Sequence, residues 1–364
     1  MKLYRGLAIV LMSLGCLLLA VPGKSQSINL EGEPACQTLK PASAGGPLPK
    51  DPNVLVLRYF SYGNYEVAYR GKVLLLDAYY DTSRSPFAVP VGLKESDITH
   101  ADAIFVGHTH FDHFQDAPAI AKRTGAPVFL GPPGVPYLKG QGLPESQIKL
   151  VRGGETIKEN GYTVQTALGI HMVVPPESSA AYAAFIAKSD SLSPEKRKEA
   201  ADWWKTSVDA VYRTEDPLDP EKDTIYHGTI VYVITFDGGF RLVFNDTAGV
   251  LSGGERVLAD SIHANGGKVD LAILGYLDTG FNLTRAIHKI VTRVNVWQPS
   301  ILLPSHFHDG DLAYPFPMPE MPTAPLFEAL REQAPNTRGI SPLYRSPICV
   351  NTKTDEFFVG NYVH

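Results

Sequence analysis

His108-Thr109-His110-Phe111-Asp112-His113 places three imidazoles and one carboxylate within six residues, directly behind the apolar run Ala103-Ile104-Phe105-Val106. Packing alone does not call for that combination, because each buried imidazole must find a hydrogen-bond partner, whereas a pair of metal ions needs nitrogen and oxygen donors at this density. A buried strand ending at Gly107 would deliver the following residues into a loop. Side chains two apart, such as His108 and His110, point the same way in extended backbone and suit one ion. Asp112 and His113 lie beyond Phe111, where the chain turns toward a helix, and so face a second point. The spacing predicts a dinuclear metal site.

Working outward, apolar segments at Val54-Leu55-Val56-Leu57, Val73 to Leu76, Ile104 to Val106 and Pro127 to Leu130 read as buried strands, with a helix over Asp116 to Arg123. A second half opens at Thr229 to Ile234, turns at Asp237-Gly238-Gly239 and returns through Arg241 to Phe244, a hairpin signal. Leu271 to Leu274 and Ile301 to Leu303 add strands, and Leu283 to Val294 reads as a helix. Between the halves, Ser193 and Pro194 form an N-cap and N1 pair, and Ala200, Trp203, Trp204, Val208 and Val211 recur at helical spacing. This is a helical insertion at about 190–215.

Lys2 and Arg5 flank the start of an apolar stretch from Gly6 to Val21, shorter than the roughly 20 residues of a membrane span and followed by Pro22 and Gly23. It reads as a signal peptide over 1–25, with lipidation at Cys16 and an uncleaved anchor as alternatives. Residues 26–52 read as an extension and linker, Pro41 to Pro52 being rich in Pro, Gly and Ala, and 53–364 as the folded domain. The expected location is periplasmic or secreted. Two cysteines then remain, Cys36 and Cys349, and an oxidising compartment permits either a disulfide between them or two buried thiols. A net charge of −5 with dispersed Lys and Arg offers no basic stripe for nucleic acid.

The motif resembles the His-x-His-x-Asp-His signature of the metallo-β-lactamase superfamily, and the likeness extends over roughly residues 53 to 310. Leu168-Gly169-Ile170-His171 matches the superfamily's third histidine, Leu242-Val243-Phe244-Asn245-Asp246-Thr247 its bridging carboxylate, and Ile301-Leu302-Leu303-Pro304-Ser305-His306 its last histidine. The resemblance implies an α/β fold, an αβ/βα four-layer sandwich with the helical insertion between the halves. It implies that His108, His110 and His171 hold one ion, Asp112, His113 and His306 the other, with Asp246 between them. The competing readings are a core histidine for His171, a turn residue for Asp246, and His308 in place of His306. By the same resemblance the insertion lies over the metal face, so Trp203, Trp204, Tyr212 or Tyr226 would wall a pocket, core packing being the alternative. The Pro-rich run Pro315 to Pro325 would form another rim loop.

Val73 to Asp77, Asn245-Asp246-Thr247 and Leu274-Gly275-Tyr276 with Ala286-Ile287-His288 are most similar to the branch containing L-ascorbate-6-phosphate lactonase and N-acyl-phosphatidylethanolamine phospholipase D. That branch carries Gly-Asp-Thr and a Gly-His-Ser segment, where this chain has Asn245 and Ser61-Tyr62-Gly63-Asn64. The implied cofactors are two divalent metal ions per chain, zinc first and manganese or iron as alternatives. A water shared by two ions falls from a pKa of about 15.7 to roughly 7 and becomes a nucleophile. Asp112 would orient or deprotonate it, and Tyr276 or His288 would stabilise the developing oxyanion. His227 is a further pocket candidate.

The expected activity is hydrolysis of a carboxylic ester, lactone or amide in a small-molecule substrate, since the motif loops contain no Arg or Lys to hold a phosphate. A phosphodiesterase and a non-catalytic binding protein are the alternatives. No nucleic-acid partner and no stable membrane association after signal removal are expected.

Overall fold

Long apolar runs become strands of two facing sheets. The structure, a computed structural model, describes residues 28–80, 92–172, 193–195, 198, 228–278, 282–307 and 322–360. The first sheet takes β1 (Val54–Ser61), β2 (Asn64–Tyr69), β3 (Lys72–Leu76), β4 (Ala103–Phe105), β5 (Val128–Leu130) and β6 (Ile148–Leu150), together with β14 (Pro347–Asn351) and β15 (Phe357–Val359). Its order is β15-β14-β1-β2-β3-β4-β5-β6. The second takes β7 (Thr156–Glu159), β8 (Tyr162–Leu168), β9 (Ile230–Phe236), β10 (Arg241–Asn245), β11 (Leu271–Gly275), β12 (Ile301–Ser305) and β13 (Arg338–Gly339), in the order β13-β12-β11-β10-β9-β8-β7.

One apolar cluster fills the space between the sheets, with Leu55, Leu57, Tyr65 and Phe105 from the first meeting Tyr232, Ile234, Phe244 and Ile273 from the second. The same cluster continues under α4 (Gly253–Ala264), α5 (Leu283–Trp297) and α6 (Thr323–Gln333) through Ile262, Ile290, Trp297 and Leu326. Helices α1 (Phe111–Phe114), α2 (Ala117–Thr124) and α3 (Val135–Gly140) cover the outer face of the first sheet through Phe114, Ile120 and Leu138. Helix layers thus flank both sheets, which is the four-layer αβ/βα sandwich expected. Alternate residues of buried strands divide between the two clusters because successive side chains leave opposite faces.

The stretch from Pro41 to Pro52 is docked on the first sheet, not free. The Glu66 carboxylate, fully buried on β2, accepts from the Ala42 and Ser43 N–H groups at 2.9 and 2.8 Å and from Arg58 Nη1 at 3.2 Å. Arg58 Nη2 in turn donates to the carbonyls of Ala35 and Thr38. Cys36 and Cys349 are joined by a disulfide, with Cα atoms 6.1 Å apart, inside the ordinary range. Cys349 lies opposite Val56 of β1, so the bond fastens this N-terminal segment to the sheet. Of the insertion, Pro194, Glu195 and Lys198 are helical. Trp203, Trp204, Tyr212, Tyr226, His227, His308 and the expected signal segment lie outside the described residues, as do residues 315–321 of the Pro-rich run.

Candidate metal centre

The ligand-type residues sit where strands end. β4 stops at Phe105, and Val106 and Gly107 lead into His108; β8, β10 and β12 stop at Leu168, Asn245 and Ser305, just before His171, Asp246 and His306. A sheet whose backbone groups are paired along its length leaves its strand ends as the place where polar side chains can be displayed in fixed geometry. Phe111 to Phe114 winds the single turn of α1, with His110 extended at its N-cap, and this aims Asp112 and His113 differently from His108 and His110.

Three donor groups converge within ligand distance of one another: His108 with His110 and His171, His108 with His113 and Asp246, and Asp112 with His113 and His306. All seven residues predicted as ligands are brought together here, none more than 9% exposed. His171 Nε2 lies 3.1 Å from His108 Nε2, and His306 Nε2 lies 2.7 Å from His113 Nε2. The first separation is close to the roughly 3.3 Å edge of a tetrahedron built on metal–nitrogen bonds of about 2.0–2.1 Å, and the second pair is drawn closer than that edge. Asp246 stands between the groups, its Oδ2 2.6 Å from His108 Nδ1 and 3.1 Å from His113 Nδ1. Its Oδ1 is buried without a hydrogen-bond partner. A buried carboxylate oxygen lacking a donor is costly unless a cation faces it, so the residues fit divalent ions.

Asp77 completes the centre; from sequence it marks only the end of an apolar run and is not among the predicted site residues. At the end of β3, with φ of 58°, it sets Oδ2 2.5 Å from His113 Nδ1, while its Oδ1 accepts from the Gly107 N–H at 2.9 Å. A carboxylate on Nδ1 fixes the tautomer in which Nε2 offers its lone pair to a metal. Asp77 does this for His113, and Asp246 Oδ2 for His108. The signal available was a buried apolar strand, Val73-Leu74-Leu75-Leu76, ending on an acid.

Space around these carboxylates requires glycine at two positions. A Cβ on Gly107 would lie 2.2 Å from Asp246 Cγ, and one on Gly63 would lie 2.1 Å from Asp77 Oδ2.

Burial drives His108 down to about 3 against the pull of Asp246. Burial also pushes Asp77 up to about 7, helped by Asp246 and opposed by His113. For His113 burial works against the charge, yet Asp112, Asp77 and Asp246 outweigh it and hold the imidazole well above its ordinary value. Burial likewise disfavours the Asp112 carboxylate, but His113, His306 and His110 keep it well below the usual range. The carboxylates therefore favour a protonated His113, and a cation bound at its Nε2 would have to displace that proton.

Two residues expected to act on an oxyanion do not join this group. The Tyr276 hydroxyl donates to the Pro322 carbonyl at 3.0 Å, which commits its proton to the start of α6. His288 is exposed on α5, apart from the buried cluster. Helical spacing placed His288 on the solvent side, because Ala286 and Ile290 take the inward one.

A profile of the β-lactamase superfamily domain matches residues 72–192, a span that holds Asp77, the His108–His113 motif and His171. Over that segment the chain is similar to the metallo-β-lactamase superfamily. Among relatives, a UPF0173 metal-dependent hydrolase of Chloroflexus aurantiacus is 37% identical over 87 residues, which are 24% of this chain and 35% of that protein. One from Pyrobaculum arsenaticum is 32% identical over 102 residues, 28% of this chain and 44% of its own length. The matches thus span less than half of these relatives.

Two solved structures share this fold. Igni18, a metallo hydrolase from the archaeon Ignicoccus hospitalis, has a TM-score of 0.51 at 14% identity, covering 85% of this chain and all of that one. CmlA, a diiron beta-hydroxylase from Streptomyces venezuelae, has a TM-score of 0.50 at 12% identity, covering 82% of this chain and 54% of that one.

Proposed function

We propose that this protein is an exported hydrolase that uses two divalent metal ions to cleave a carboxylic ester, lactone or amide. The observation that carries the reading is the convergence of His108, His110, His171, Asp112, His113, His306 and Asp246 in one buried centre where Asp246 Oδ1 lacks a donor. One ion would be held by His108, His110 and His171, the other by Asp112, His113 and His306, with Asp246 Oδ1 facing between them. Zinc suits this nitrogen-rich set, and manganese or iron would also be accommodated.

Bound ions supply an acidified water and an electrophilic contact for the scissile carbonyl. The chain supplies orientation and charge. Asp246 Oδ2 and Asp77 Oδ2 hold the Nδ1 protons of His108 and His113, which keeps both Nε2 atoms available. Asp112, ionised and 3.3 Å from His113 Nε2, is placed to accept a hydrogen bond from the nucleophile and to take up its proton. Among the described residues no Lys or Arg pairs with Asp77, Asp112 or Asp246, which favours a neutral carbonyl over a phosphodiester. The segments around the centre resemble the lactonase and phospholipase branch, departing from it at Asn245 and at Ser61 to Asn64, and a carbonyl substrate suits the hydrolytic chemistry of that branch. Export is supported by the Cys36–Cys349 disulfide, which persists in oxidising compartments.

Elemental analysis of purified protein, beside hydrolysis of a lactone and of bis-p-nitrophenyl phosphate, tests this directly. About two ions per chain with lactone turnover is the expected result. Phosphodiester turnover alone would replace the bond class, and no bound metal after reconstitution would overturn the ligand set. Fractionation of cells making the full chain tests export, a cytosolic, reduced protein being the contrary result.

A further inference from the structure

Beside the strand ends that lead to the centre, the two sheets are tied to each other twice, in mirrored fashion. Tyr232 of β9, in the second sheet, donates its hydroxyl to the carbonyl of Val106, just past β4 of the first sheet, at 2.9 Å and lies 3.1 Å from that of Phe129 on β5. Tyr65 of β2, in the first sheet, donates to the carbonyl of Pro304 on β12 at 2.7 Å, in the second. Each accepting carbonyl belongs to the residue two before a predicted ligand, Val106 before His108 and Pro304 before His306. A backbone bond reinforces each tie. The Ile230 N–H donates to Gly107 at 2.7 Å, and the His306 N–H donates to Tyr62 at 2.9 Å.

The positions are those where regular pairing runs out. The Ser305 carbonyl accepts from the Tyr276 N–H on the β11 side, so alternation turns the Pro304 carbonyl toward β13. β13 pairs only with Ile301 and Leu302 and has ended by then. Proline at 304 leaves no orphan N–H there, and the Tyr65 hydroxyl satisfies the orphan acceptor. Val106, just past the end of β4, still donates to Phe129, and its carbonyl is met by the Tyr232 hydroxyl. Both rings are fully buried in the inter-sheet core, where a carbonyl has no water to turn to.

We propose that Tyr65 and Tyr232 are positioning residues that fix the two ligand-bearing strand ends across the sheets, Tyr232 serving the ion held by His108 and Tyr65 the ion held by His306. The proposal rests on the two-ion reading of the centre. Each hydroxyl stops its strand end from fraying, so the imidazole two residues on arrives with its Nε2 already in place. The two ties use different tyrosines and different strands. Val106 lies two residues from His108 but six and seven from Asp112 and His113, so loss of each tie should act mainly on the ion whose histidine lies two residues on.

The test is stepwise Co²⁺ titration of metal-stripped full-chain protein, followed by visible absorption and by competition with a chelator, on Tyr65→Phe, Tyr232→Phe and Tyr69→Phe. Phenylalanine keeps the ring and removes only the hydroxyl. Tyr69 is the control, since its hydroxyl meets Thr352 at the far end of β2. Each of the first two variants is expected to weaken one binding step by roughly tenfold, the scale of losing an outer-shell partner, and to leave the other within about twofold. In a His171→Ala background, where the first position is disabled, Tyr232→Phe should have no further effect, while Tyr65→Phe should still weaken the remaining ion. A His306→Ala background should show the reverse.

Equal weakening of both steps, or a lower melting temperature of the metal-free protein with both affinities unchanged, would make the hydroxyls ordinary core hydrogen bonds and overturn the proposal. Either tyrosine variant alone decides this if the other fails to fold. Wild-type protein that binds no Co²⁺ would overturn the two-ion reading and the proposal with it. Two wild-type ions with no selective loss would overturn the proposal alone.

Discussion

Two of the charged clusters buried among the described residues are finished to different degrees. Around Arg58 and Glu66, both 0% exposed, the charges meet each other and the surrounding donors and acceptors come from the N-terminal segment: two N–H groups on Glu66, two carbonyls on Arg58. Around His113 the balance is reversed. Asp77, Asp112 and Asp246 crowd one imidazole, and Asp246 Oδ1 is left without a donor. A cluster with its own cation holds the fold together; one with surplus acceptors and no Lys or Arg among its described partners waits for a cation from outside.

The contrast is broken most severely at its centre. His113→Ala should remove one ion and reduce hydrolysis by about 10²–10³-fold while the metal-free protein stays folded, as read by metal analysis, kinetics and circular dichroism. Glu66→Ala should do the opposite, lowering stability by about 3–5 kcal/mol in urea denaturation because Arg58 is left buried and unpaired, with metal content per folded molecule unchanged. Removing the disulfide with Cys36→Ser and Cys349→Ser should cost about 2–5 kcal/mol, again without touching metal affinity. A subtler probe is Asp77→Asn, which leaves every predicted ligand in place and should weaken metal binding about 10–100-fold.

The same comparison predicts a pH dependence. Because the carboxylates hold a proton on His113 above its ordinary value, and Asp77 titrates near 7, cation uptake should expel protons and apparent affinity should rise with pH. Calorimetry in two buffers of different ionisation enthalpy would measure the release. A pH-independent affinity would mean that the proton is not held there.

Much of the centre was legible because its ligands follow apolar strands at short, regular offsets. His108 through His113 lie in one local motif, and His171, Asp246 and His306 each follow a run of strand-like residues. Asp77 was harder, since a lone acid after a strand is as common at a turn as at a metal site. β2 was not read as a strand: Asn64-Tyr65-Glu66-Val67-Ala68-Tyr69 carries an acid whose burial makes sense only once Arg58 and the Ala42 and Ser43 amides surround it. The segment from Pro41 to Pro52 looked like a linker for the same reason. Its composition is that of a turn, and its partners lie on strands distant in sequence. His288 and Tyr276 lie away from the buried cluster because the direction in which a helix face or a hydroxyl points depends on α5 and α6, whose packing no local pattern encodes.

The order of the first sheet sets a timetable for the chain. β1, among the earliest described strands, pairs on one side with its neighbour β2 and on the other with β14, so Val54 lies opposite Asn351. A strand made early must therefore keep one edge open until the residues of β14, far along the chain, have been released. Contacts of such long sequence separation are slow to form and leave an exposed edge meanwhile. Until β14 arrives, Cys36 also stands without Cys349. The free thiol thus marks an unfinished molecule, and its disappearance should report the last step of maturation.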